Sequence, residues 1–81
     1  MKIQEKVNKY IKNTEISLKN VKINDGLSID YALIQKVIAE SKRYYEDAKY
    51  FMKKNMYETS LTAISYCEGL LEALKILGFI K

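Results

Sequence analysis

The chain has no histidine, no proline and no tryptophan, and among its 81 residues are only one cysteine and three glycines. Without histidine the commonest general base and the commonest metal ligand are missing, which weakens most enzyme readings at once. Without proline nothing interrupts long periodic segments, and with 30% charged residues the composition points to an all-α protein. A single cysteine, Cys67, cannot form an internal disulfide, and no apolar segment precedes a cleavage-like site near the N-terminus, so a reducing, cytoplasmic setting is expected. The longest stretch free of charge, Thr59 to Cys67, is too short to cross a bilayer, so no membrane partner is expected. What is there is enough for one domain, residues 1–81, with 48% hydrophobic residues to build a single core.

The net charge of +4 is unevenly spread. Residues 1–26 carry six lysines against three acids, residues 27–54 six bases against four acids, and residues 55–81 two bases against three acids. Such an excess fits weak attraction to nucleic acid, but it is also common in Lys/Glu/Ile-rich proteins from hot environments, where it serves solubility and surface ion pairing. The dense Lys/Arg clusters of dedicated nucleic-acid binders are missing, which favours the second reading.

Hydrophobic periodicity predicts three helices. From Lys2 to about Val21, Ile3, Val7, Tyr10, Ile11, Thr14, Leu18 and Val21 fall within an arc of about 100°, with Lys2, Lys6, Lys9, Lys12 and Lys19 opposite. That basic face is read as solvated, since a membrane-surface helix would carry Trp or Phe on its apolar side. Asn24-Asp25-Gly26 is a turn signal, and Ser28 is expected to cap a second helix running to about Lys54 with Asp30 in its first turn. Asn55 breaks the chain, either as a left-handed residue after helix two or as the cap of helix three with Glu58. Helices two and three therefore form a long hairpin. Helix three, about Met56 to Leu77, has the widest apolar sector: Ser60, Ala63, Ile64, Tyr66, Cys67, Leu70, Leu71, Ala73, Leu74 and Leu77 span about 180°. Gly78 is its expected stop, with Phe79 folding back on the last turn. Gly69 within the helix would normally cost about 1 kcal/mol against Ala, so close approach of a neighbouring helix is its expected reason.

No side chains assemble into a recognisable catalytic set. Cys67 lies in the apolar arc with no clustered Lys nearby in sequence and reads as a small buried hydrophobe. Glu58, Glu68 and Glu72, with Ser65, line a polar edge of helix three; helical di-metal sites also need Glu-x-x-His pairs, so a solvated edge is the reading here. The seven tyrosines include Tyr10, Tyr44, Tyr45 and Tyr66 on apolar faces, where they read as core residues with a polar tip rather than base-stacking platforms. Asp47 sits at the margin of helix two beside Tyr44 and Phe51 and is expected to accept a hydrogen bond from Tyr66, making Asp47, Tyr44 and Tyr66 a structural polar cluster.

The pattern Tyr44-x-x-Asp47-Ala48-x-Tyr50-Phe51, followed by Ser60, Ala63, Ile64, Tyr66 and Glu68-Gly69-x-Leu71, resembles an archaeal family of small helical domains of unknown function. The resemblance covers about half the chain firmly and helix one loosely, and implies an up-and-down three-helix bundle. Where that family has a Gly-Asp break, this chain reads Asn55-Met56; its usual alanine is Ser60 and its usual aspartate is Glu72. The pattern is also distantly similar to helical modules that accompany nucleotidyltransferases, but their Arg-to-His signature is missing, and no nuclease activity is carried over.

The expected function is non-enzymatic: a small helical interaction module that takes a second copy of itself or another protein as partner. Leu61 and Ile76 fall outside the inward arc of helix three, rimmed by Glu68 and Glu72, and Ile80 follows its stop, so all three are expected to be left uncovered by a monomeric bundle. A homodimer through that edge is expected, with acids meeting the lysine-rich faces of the other copy. The alternative is a nucleic-acid-associated accessory domain using the Lys faces of helices one and two. A small-ligand or metal site near Asp47, Tyr66 and Glu72 is the weakest reading. No catalytic residue, cofactor or metal is expected.

Overall fold

The structure is a computed structural model that describes residues 2–81. Three helices follow one another, α1 (Ile3–Lys19), α2 (Tyr31–Lys53) and α3 (Tyr57–Ile76), within a residue or two of the periodic segments and one to two residues shorter at most ends. Thr14 meets Glu68 and Asn24 meets Gly78, both 54 residues apart, so α1 and α3 run parallel. A short turn joins α2 to α3, which makes α2 antiparallel to both and gives an up-down-up bundle of 43 × 20 × 17 Å. The α2–α3 hairpin is the most extensive contact, and α1 lies along it, touching both helices.

Local chemistry sets the helix ends. Asp30, rather than Ser28, caps α2: its Oδ1 accepts from the Ala32 N–H at 2.9 Å, a reach available only to the residue immediately before the first turn. At the other end Asn55 adopts φ 60°, the left-handed option. The Met56 N–H then donates to the Phe51 carbonyl at 2.9 Å and the Asn55 N–H to Met52 at 3.1 Å, the paired bonds of a Schellman stop. α3 ends by the same device, with Gly78 at φ 77°, Phe79 N–H on Leu74 at 2.9 Å and Gly78 N–H on Lys75 at 3.0 Å.

That second stop turns the tail back along the α1–α2 connection. The Asn24 N–H donates to Phe79, the Lys81 N–H donates to Lys22, and one antiparallel bridge pairs Ile23 with Ile80. The Asn24 side-chain amide adds a 2.7 Å bond to the Gly78 carbonyl. Ile80, expected to be left uncovered, is instead buried in the core because this pairing presses it against the bundle end.

The core joins Val7, Ile11 and Leu18 of α1 to Ile34, Tyr45 and Ala48 of α2 and to Ile64, Cys67, Leu71 and Leu74 of α3. Three hydroxyls are buried with it, and each finds an acceptor. Ser60 donates to the Ala48 carbonyl at 2.6 Å across the hairpin, Ser41 to its own helix at Ile38, and Thr14 to Glu68 Oε1 at 3.1 Å. The small residues Ala48 and Ser60 are what allow a side chain of α3 to reach the backbone of α2.

Removing the buried tail side chain by Ile80→Ala should lower stability by about 2–4 kcal/mol. Ile76→Ala, on the exposed end of α3, should change it by less than about 0.5 kcal/mol. Urea denaturation of the two variants checks the difference, and equal effects would mean that the tail does not dock.

Candidate interaction surface

A helix in a three-helix bundle touches only two neighbours, and α3 shows the consequence. Its buried residues, Ser60, Ala63, Ile64, Cys67, Leu71 and Leu74, occupy about 100° of its circumference at 100° per residue, whereas its apolar sector spans about 180°. The remainder carries Tyr66, 60% exposed, Leu77, 62% exposed, the exposed Ala73 and the half-buried Leu70. Tyr66 and Leu77, assigned to the inward arc by periodicity, thus face outward. The Thr14–Glu68 bond places α1 on the opposite flank of α3, so this apolar strip lies on the side of the hairpin that α1 leaves open. α2 lines the other side of the seam with Leu33, 52% exposed, and the half-buried Val37, Tyr44 and Phe51.

The polar cluster expected at Asp47 is wired differently. Tyr66 does not bond Asp47; its ring stacks on Tyr44 with centroids 5.4 Å apart and planes inclined at 23°. Asp47 pairs instead with Arg43 of its own helix at 3.5 Å, a partner one turn away that needs no inter-helix reach. Arg43 also holds Glu40 at 2.9 Å and lies 4.5 Å over the Tyr44 ring. The hydrogen bond and charge of Arg43 keep the Glu40 carboxyl below the usual carboxylate range, with Lys36 adding to the effect. Glu40, Arg43 and Asp47 therefore form an ionic line beside the Tyr44–Tyr66 stack.

The edge expected to dimerise is divided by the same geometry. Leu61 is half-buried and packs against the core, because it shares the α1-facing flank with Glu68, whose carboxylate is engaged by Thr14. Ile76 and Glu72 remain exposed. Leu61 and Ile76 therefore do not form an open apolar pair. A Cβ built on Gly69 meets nothing within 4 Å, so no helix of the same chain accounts for that glycine. The residues proposed for a ligand site also stay apart: Asp47 is level with about residues 61–63 of α3, and Glu72 sits about 14 Å further along the bundle axis. Among the described residues no three His, Cys, Asp or Glu side chains are grouped so as to hold a metal ion. Cys67 is fully buried; burial first, then the charge of Glu68, raises its thiol from 9.0 to about 11. No described helix is long and apolar enough to cross a membrane.

Fold and surface together define a small all-α bundle with an incompletely covered apolar face. The family described as "Protein of unknown function (DUF357)" matches residues 9–80, and the chain belongs to it. No curated protein and no solved structure matches the chain.

Three measurements test this geometry. Gly69→Ala, measured at low micromolar concentration, should stabilise the chain by about 1 kcal/mol, because helix propensity acts there without a clash. Cys67 should resist alkylation at pH 8 until denaturant unfolds the chain. The folded thiol holds its proton where the unfolded one releases it, so the stability linked to Cys67 is complete below about pH 9. It should decline as pH rises towards about 11, and a Cys67→Ala variant should lack that alkaline decline.

Proposed function

We propose that the protein is a non-enzymatic interaction module that docks a helical partner on the outer α2–α3 face. The observation that carries this reading is the uncovered part of the apolar sector of α3 around Tyr66, Leu70 and Leu77, continuous with Leu33 and Val37 of α2. A strip of this shape, bounded by two antiparallel helices, suits the apolar face of a third helix. Tyr66 at one end of it supplies a large ring with a polar tip, a residue type enriched where proteins meet.

The nucleic-acid reading has less to support it. Lys19 pairs with Glu15, Lys49 with Glu46, and Arg43 with Glu40 and Asp47. Lys6 and Lys54 lie over Tyr10 and Tyr50. Basic groups interleaved with acids in this way offer phosphates a weaker field than a cluster would. The cytoplasmic, archaeal setting suggested by composition and resemblance goes with the same proposal.

A photo-crosslinking residue in place of Tyr66, compared with one in place of Lys9 on the outer face of α1, tests the reading in extract of the source cells. Adducts to a protein, whether another chain or a second copy, are expected from position 66 and not from position 9. Adducts confined to position 9, or to nucleic acid, would overturn it.

A further inference from the structure

Resting on the proposed docking face, a deeper inference concerns its occupant. The outward stripe of α2 beside the seam carries Lys36, Glu40, Arg43 and Asp47, which fall within about 60° of one another at 100° per residue. Read along the helix the signs are plus, minus, plus, minus. Laid against itself in reverse, this order is complementary throughout: Lys36 faces Asp47 of the other copy, and Glu40 faces Arg43, each pair occurring twice. We infer that the occupant of the hairpin face is a second copy of this chain, with α2 antiparallel to α2 about a two-fold axis passing between Ser41 and Lys42.

The rest of the face agrees with that axis. Across the hairpin, Ala48 is level with Ser60 and Tyr44 with Tyr66, so the midpoint of the charge stripe is level with about residues 67–69 of α3. Gly69 lies there, exposed and with open space where a Cβ would be. A two-fold at that height brings α3 over α3 of the other copy near its residue without a side chain, and places Tyr66 and Leu77 of each chain in the shared interface. The ion pairs fix direction and register, and the apolar strip supplies the attraction.

Lys36 and Asp47 provide a clean test, because they stand about 16 Å apart along α2 and Asp47 is bonded to Arg43 in the single chain. Sedimentation at low salt, from about 10 to 500 µM, should show wild type passing from monomer to dimer. Lys36→Glu and Asp47→Lys should each weaken the dimer about tenfold or more, since each places like charges together twice. An equimolar mixture of the two variants should dimerise as wild type does, because every heterodimer pair is again opposite in sign; the double variant should do the same. Thermal melts of the exposed single variants should stay within a few degrees of wild type, which separates assembly from folding.

A wild type that stays monomeric to 500 µM overturns the second copy as occupant. If Tyr66 then still crosslinks to another protein, the docking reading survives without it; if it crosslinks to nothing, both fall. A dimer that the single variants leave intact, or a mixture that associates no better than its components, overturns the two-fold.

Discussion

Helices packed in a triangle expose a fixed share of their surface, and α3 is apolar over more of its circumference than two neighbours can cover. α1 and α2 take the sector from Ala63 to Ile64, centred on Ser60, Cys67 and Leu71, and no third helix is available for the sector from Ala73 to Leu70. The Tyr44–Tyr66 stack partly closes the seam by laying one ring over another. This gives aromatic contact along the seam while leaving the outward face of Tyr66 wet. A monomer accordingly balances a well-satisfied interior, with every buried hydroxyl bonded, against a strip that water tolerates poorly.

The ionic line on α2 has little to do with holding the helix. Its members are around half exposed, and water screens pairs of that kind so well that they add little to stability. Their order matters more than their strength. An alternating stripe repels a copy laid parallel and in register, where like faces like, and attracts one laid antiparallel, so it selects among arrangements that the apolar strip alone would not distinguish.

Features set by chemistry within a turn or so were legible in the sequence, and features set by distant segments were not. Asn55 and Gly78 announced their stops because left-handed backbone favours those two residue types wherever the partner helices lie. The all-α class and the buried state of Cys67 followed from periodicity in the same way. Ile80 was misread because its burial depends on a strand-like pairing with Ile23, 57 residues earlier, that no local pattern encodes. Asp47 was assigned to Tyr66 because it sits at the margin of the apolar face of α2, within reach of a neighbouring helix, yet Arg43 one turn back competes at shorter reach. Leu61 and Ile76 looked equivalent on a helical wheel. Which flank α1 covers is visible in Thr14 meeting Glu68, and periodicity of α3 alone is silent on that choice.

Tyr66, the aromatic residue at one end of the open strip, reconciles folding with docking. Leucine there would enlarge an exposed aliphatic patch that any apolar surface could satisfy, including unfolded chains of the same protein during folding. A tyrosine keeps its hydroxyl solvated in the free chain and offers the ring as contact area at low entropic cost, since only two side-chain torsions need fixing. The ring is also steadied in advance by Tyr44, and Tyr44 by the guanidinium of Arg43, which the carboxylates of Glu40 and Asp47 hold in place. Preorganisation of that kind lowers the cost of ordering the surface when a partner arrives, so the strip presents a defined shape before it is covered.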